Sequence, residues 1–479
     1  MAEQKLKRNL KARHMTMIAL GGSIGTGLFL ASGSAIAEAG PGGAMLAYAL
    51  VAVMVYFLMC SLGEMAAYSP TTGTFCEYST KYVEPAFGFA MGWNYWFNWA
   101  ITVATEIIAA ALIMQFWFPH VDTLWWSVLF FVVIFALNLL AVKFYGETEY
   151  WLSFVKVSAV IIFILVGALT IVGITGNHGP VGFENWHIGD APFHHGWIGF
   201  MAVFLIAGFS FQGTELVGIA AGEADNPQKS IPKAIKSTFW RLVIFYILAI
   251  GVISFLIPYN SHILVDAQSD VTVSPFTLVF KEAGFMYAAT VMNAVILIAI
   301  LSACNASMYS ATRILWHMGR TNQAPKVFAK VNQHGVPMAA LIATALIGSF
   351  FFLTSFMKSG EVFIWLVNIS SLAGFIAWFG IALSHYRFRK AYIAQGKPLS
   401  ELPYKAIWYP WAPLIALGMI LIIVLGQEFN AIISGDISIG RFIATYIGLF
   451  AFLTIFVIYK VIKKTKMVKL QDCELKLRQ

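Results

Sequence analysis

Charge is what this sequence has least of. Asp, Glu, Lys and Arg make up 11% of its 479 residues, against 59% hydrophobic residues. A soluble domain usually carries about 25% charged residues, so this shortage excludes an ordinary water-soluble fold. Cysteine is scarce as well. Cys60, Cys76, Cys304 and Cys473 form no C-x-x-C pair, which argues against a cysteine metal site and a disulfide framework. No metal or organic cofactor is expected. There is no G-x-x-x-x-G-K-[ST] loop for ATP phosphates, and no acid, base and nucleophile stand in supporting order. An enzyme is therefore not expected.

What the chain has instead is long apolar runs. Twelve lie near the ~20 residues that cross a bilayer, at about 16–37, 43–66, 88–117, 124–142, 149–174, 196–220, 238–257, 284–312, 337–356, 361–384, 409–426 and 440–462. This is an all-α integral membrane protein by composition. The first run follows a basic head (Lys5, Lys7, Arg8, Lys11, Arg13) and is expected to stay as an uncleaved anchor. With the head inside, 27 of the 31 Lys and Arg fall on the inner side. That asymmetry orients both termini to the cytoplasm. It accounts for the net charge of +8 without a nucleic-acid partner. One membrane domain, 16–462, is expected between a cytoplasmic head (1–15) and a cytoplasmic tail (463–479).

Two of the apolar runs are interrupted. Span one reads Gly21-Gly22-Ser23-Ile24-Gly25-Thr26-Gly27, and span six reads Phe209-Ser210-Phe211-Gln212-Gly213-Thr214-Glu215. Glycine costs a helix about 1 kcal/mol per residue against alanine. Unwound backbone at membrane depth is tolerated where it is enclosed by protein or lines a cavity. Matched breaks in two halves point to a transporter with inverted repeats, 16–174 and 196–384, with 409–462 as extra spans. The breaks mark the substrate site.

The chemistry at the breaks suits an amino acid. Amides at a half-helix N-terminus attract a carboxylate, with Ser23 and Thr26 adding hydroxyls beside Gly25 and Gly27. Carbonyls around Phe209 to Gln212 would accept from an ammonium. Ionisable groups inside a membrane are functional suspects by default. Lys156 in span five is a candidate proton carrier, or a lysine snorkelling to the inner interface. Glu215 is a candidate for substrate or proton, or a cap on the resumed half-helix. Glu106 continues a polar stripe through Tyr95, Asn98 and Thr102 in span three. Asn293, Ser302 and Asn305 in span eight either join helices or line the Lys156 region. Trp96, Trp99, Phe209 and Phe211 lie near enough to stack on a cation.

Outside the spans, the 175–195 loop carries His178, His187, His194 and His195 and reads as a solvated outer loop. Ser274-Pro275 followed by Phe276-Thr277-Leu278-Val279-Phe280 reads as a short outer lid helix before span eight.

Long motifs carry a family resemblance. They include HMTMIALGGSIGTGLFLASG in span one, SLGEMAAYSP after span two and GWNYWFNWA in span three. GFSFQGTELVGIAAGEADNP, SPFTLVF and GFIAWFGIALSHYRFR follow in the second half. With these the chain resembles the amino acid permeases of the APC superfamily, nearest the lysine-type branch. The resemblance implies a LeuT-type fold, a 5+5 inverted repeat with broken helices 1 and 6. It also implies proton-coupled uptake of L-lysine across the cell inner membrane, driven by the proton gradient and the membrane potential. It assigns the glycine-rich break to the substrate carboxylate, Lys156 to the proton, and a role to Glu223. Arginine, ornithine and histidine stay open as substrates. An amino-acid sensor with a membrane partner is the competing class, with contact surfaces near Glu223, Asp266 and Asp270.

Overall fold

The computed structural model describes residues 24–71, 73–139, 145–176, 179–216, 218, 227–261, 264, 274–333, 335–428 and 439–475. Its elements in chain order are α1 (Thr26–Phe29), α2 (Ala31–Tyr68), α3 (Thr74–Tyr82), α4 (Pro85–Met114), α5 (Thr123–Leu139), α6 (Tyr145–Ile171), α7 (Gly196–Phe211) and α8 (Pro227–Leu256). The second half continues with α9 (Pro275–Glu282), α10 (Met286–Arg320), α11 (Met338–Gly348), α12 (Ser359–Ala394), α13 (Trp411–Leu425) and α14 (Ile439–Lys463). The described residues contain no strand. Eight of the described helices are long and apolar enough to cross a membrane, and Thr123–Leu139, Gly196–Phe211 and Val243–Leu256 are shorter apolar helices.

Each expected span overlaps a described helix, with different bounds: α7 ends at Phe211, α8 begins at Pro227 and α12 runs to Ala394. Residues 16–23 of span one lie outside the described residues, and its later part and all of span two run together as α2. The kink between them sits at Gly40, where φ is 72° and ψ 173° before Pro41. Proline removes an amide donor there, and glycine accepts the left-handed φ. The freed amides find other partners. Gly42 and Gly43 donate to the Pro192 carbonyl at 2.9 and 3.1 Å, and the His194 amide donates to the Ala39 carbonyl at 3.0 Å. The 184–195 loop is therefore a strap across the α2 corner. Tyr259 donates to Asp190 at 2.6 Å, and His194 Nδ1 lies 2.6 Å from the same carboxylate. Those two partners, Tyr259 first, hold the Asp190 carboxyl well below the usual carboxylate range.

The lid helix is separate from span eight, as its Ser-Pro start indicates. Ser274 caps α9 by accepting from the Phe276 amide at 3.2 Å, and Pro275 takes the first helical position. Ser274 also donates to the Phe29 carbonyl at 2.5 Å. Phe276 packs against Phe29 and Phe163 with ring centroids 4.9 and 4.0 Å away. The outer end of α1 is covered by this aromatic group.

The helices divide by burial. α4 is enclosed nearly along its whole length, whereas α14 exposes most of its apolar surface. α5 leaves Trp125, Leu129, Val132, Val133 and Leu137 exposed. A continuous apolar face of that kind belongs in lipid rather than water. The tail is tied down at the opposite end from the lid. Val468 donates to the Val83 carbonyl at 2.9 Å, and Lys397 donates to the Leu475 carbonyl at 2.9 Å.

Candidate functional site

Ile24 and Gly25 are not helical, and α1 is a single turn before Leu30 interrupts it again at φ −123°, ψ −56°. A helix start leaves its first amides without intrahelical partners. Here the Thr26 hydroxyl donates to the Glu106 carboxylate on α4. A Cβ on Gly25 would lie 3.5 Å from Glu106 Oε1 and 3.2 Å from the Ala303 Cβ. The missing side chain lets the carboxylate lie against the break. Gly27 serves another purpose: a Cβ there would be 2.4 Å from the Ser210 Cα, so the two broken helices cross backbone against backbone. The structure thus brings Gly25 and Thr26 against Glu106, and Gly27 against Ser210. Ser23 lies outside the described residues.

At the second break, α7 stops at Phe211, Gln212 turns extended, and Gly213 takes φ 98°. The carbonyls expected to await an ammonium already have donors. Phe209 O accepts from the Gln212 amide at 3.2 Å, Ser210 O from the Tyr246 hydroxyl at 2.6 Å, and Phe211 O from the Thr214 hydroxyl at 3.0 Å. A carbonyl has a second lone pair, so these oxygens are shared rather than free. Glu215 is buried and ties the break together. It accepts from the Gly213 amide at 3.2 Å, Trp378 Nε1 at 3.4 Å and the Tyr95 hydroxyl at 3.5 Å. The Gly213 contact is that of a capping carboxylate, and the other two tie the break to α12 and α4.

Lys156 is fully buried, which rules out snorkelling for this side chain. Its Nζ lies 3.5 Å from Oε1 of Glu149, also buried, on the same face of α6. Ser302 on α10 contacts both Glu149 oxygens at 3.0 and 2.9 Å. Lys156 also interacts electrostatically with Glu106. Ser302 therefore reaches the Lys156 region, through a carboxylate absent from the candidate residues above. The signal was present: Glu149 and Lys156 are seven residues apart, two turns on one face.

The remaining candidates sort by partner. Asn98 accepts from Ser370 on α12 at 3.0 Å, Thr102 meets the same hydroxyl at 2.8 Å, and Gln212 donates to the Ser370 carbonyl at 3.1 Å. This buried polar knot joins α4, α12 and the second break. Tyr95 and Trp99 pack edge to face, 6.0 Å apart. Phe209 is buried in the last turn of α7. Phe211 is enclosed between Tyr246 and Tyr48, at 4.6 and 6.2 Å, so its ring is not open to a substrate cation. Trp96 donates to Thr344 at 3.1 Å and so faces α11 rather than the breaks. Asn293 accepts from Thr277 at 2.7 Å and fastens the lid helix to α10. Asn138 donates to Asn305 at 2.8 Å and joins α5 to α10. Glu223, Asp266 and Asp270 lie outside the described residues. Among the described residues no group of three His, Cys, Asp or Glu is placed to hold a metal.

Two broken helices cross backbone against backbone beside the buried Glu106 carboxylate, which interacts electrostatically with a buried lysine. The family model for amino acid permeases matches residues 14–472. The chain belongs to the amino acid permease family. It is a multi-pass membrane transporter of amino acids, not an enzyme. This permease is 52% identical over 468 residues to the lysine-specific permease of Escherichia coli (strain K12), covering 98% of this chain and 96% of that one. It is 48% identical to the lysine-specific permease of Lactococcus lactis, over 99% and 93% of the two chains. The histidine permease of the same organism is also 48% identical, over 99% and 98%. A solved manganese transporter from Eremococcus coleocola superposes with TM-score 0.53 at 12% identity, covering 94% of each chain. At that identity the likeness speaks to fold alone. The permease has the all-helical LeuT-type architecture to which its matched breaks point.

Proposed function

We propose that the permease imports L-lysine together with a proton across the bacterial inner membrane, with both termini in the cytoplasm and no cofactor. The observation that carries this reading is Glu106, a buried carboxylate set against the first break by the Thr26 hydroxyl. Amides at the start of α1 suit the substrate carboxylate, and Glu106 beside them suits a substrate bearing positive charge. The lysine-specific names of two of its relatives support the choice of lysine. Lys156, held in reach of Glu106 and Glu149, is the group to carry the proton. The proton gradient and membrane potential supply the work.

The histidine permease relative at equal identity favours histidine as the second reading. Both are tested together in proteoliposomes that take up labelled lysine under an imposed pH gradient, competed with arginine, histidine and phenylalanine. Lys156→Ala is expected to reduce pH-driven lysine accumulation at least tenfold. Wild-type accumulation in this variant would exclude Lys156 as the carrier, and stronger competition by histidine than by unlabelled lysine would reverse the substrate assignment. Sustained uptake by the purified protein also separates transport from a sensor that needs a membrane partner.

A further inference from the structure

Glu149 has no part in substrate binding as described above, yet it is 2% exposed. An unpaired carboxylate at that depth is costly, so its partners identify its use. They are the Lys156 ammonium at 3.5 Å and the Ser302 hydroxyl at 2.9 and 3.0 Å from its two oxygens. The hydroxyl comes from α10, a different helix from the carboxylate. Glu149 is thus pinned across a helix contact, while Lys156 is a longer and more flexible arm reaching toward it.

Lys156 stands in the field of two carboxylates, and their surroundings differ. Glu106 is tied to Thr26 at the unwound turn, where substrate enters the balance. Glu149 is tied to Ser302 of α10, whose neighbour Ala303 packs against Gly25 of the first break. From the other helices packed on α6, Cys304 of α10 and Tyr246 of α8 feel the Glu106 charge. α9 brings Lys281 and Glu282 at its exposed end. Glu149 is therefore the counter-charge on the lysine's own helix, fixed by a hydroxyl from α10 rather than by the unwound turn.

We infer that Glu149 is a positioning residue for proton coupling: held by Ser302, it supplies the standing negative charge against which Lys156 gains and releases its proton. The step conserves charge. An N–H bond of the Lys156 ammonium breaks, the electron pair stays on Nζ, and the proton leaves toward the inner aqueous phase. The inference rests on Lys156 as the proton carrier.

The test is lysine uptake into proteoliposomes as a function of pH for wild type, Glu149→Gln, Glu149→Asp and Ser302→Ala. An opposite charge within about 4–6 Å moves a titration by roughly 1–3 pH units. Glu149→Gln is expected to move the pH profile of uptake toward acid by at least about 1 unit. pH-driven accumulation should fall at least tenfold, and KM should change much less than the maximal rate. Glu149→Asp is expected to restore part of the profile. Ser302→Ala is expected to shift it in the same direction by less, and it keeps the proposal testable where Glu149→Gln does not fold. A wild-type pH profile in Glu149→Gln, or in Ser302→Ala when the glutamine variant fails to fold, overturns the role of Glu149. Absence of pH-driven uptake in the wild type instead overturns proton coupling itself.

Discussion

A methyl group on Gly27 would lie 2.4 Å from the Ser210 Cα and 2.8 Å from its hydroxyl. No side-chain rotation relieves a clash with a backbone atom, so the broken helices would have to separate. Overpacking of that kind costs about 1–3 kcal/mol. Gly27→Ala is expected to lower the thermal midpoint of the purified permease by several degrees and to reduce uptake. An unchanged midpoint would mean that the crossing is looser than the geometry shows. At this scale the glycine-rich break was legible, because glycine is expensive in a helix and conspicuous in an apolar run. Which glycine serves which purpose was not. Gly25 leaves room for Glu106 and Gly27 for a neighbouring helix, and neither neighbour is near in sequence. The same limit applies to Glu215, read as a substrate or proton group or a cap. Its contact with the Gly213 amide is a cap's, while Trp378 and Tyr95 reach it from α12 and α4.

Between elements, the heaviest burial of charge joins α2 to α12. Glu64 is fully buried and paired with Arg389, which donates from both Nε and Nη2. The Ala406 amide donates to Glu64 at 2.6 Å, and the Arg389 guanidinium lies 5.1 Å from the Tyr409 ring centre. Removing Arg389 leaves Glu64 only the His385 ring, 3.3 Å away, and the Ala406 amide, and breaking a buried pair costs about 3–5 kcal/mol. Arg389→Ala is therefore expected to lose most of its folded yield, as read by size-exclusion of detergent-solubilised protein. Glu64→Gln combined with Arg389→Met is expected to recover much of it. A single variant as well behaved as wild type would contradict the pair's structural role. The sequence placed Glu64 and Arg389 at the ends of their spans, where charge at an interface is ordinary. Only packing of α2 on α12 makes them a buried pair. The lid helix was easier to read, since Ser274-Pro275 is a local start signal needing no distant partner.

For the molecule as a whole, the charge moved per cycle separates the proposals. One charge crossing 100 mV is worth about 2.3 kcal/mol. Lysine with a proton carries two charges, about 4.6 kcal/mol, which sustains roughly a thousandfold gradient. Lysine alone, or neutral histidine with a proton, carries one and sustains about fiftyfold. In vesicles clamped at 100 mV, inside negative, without a pH gradient, lysine is expected to approach the higher ratio. A plateau near the lower one would show that no proton accompanies it.

The sequence by itself determined that this chain lies in a bilayer and roughly where its apolar helices and their interruptions fall. Those properties follow from apolar length and backbone propensity, which are local. Tertiary structure decided what the breaks touch. It set Glu106 against Thr26, Glu149 beside Lys156 and Ser302, and Glu64 under Arg389. A buried charge is defined by the partner that offsets its desolvation, and except for Glu149 and Lys156 on α6, those partners come from other helices.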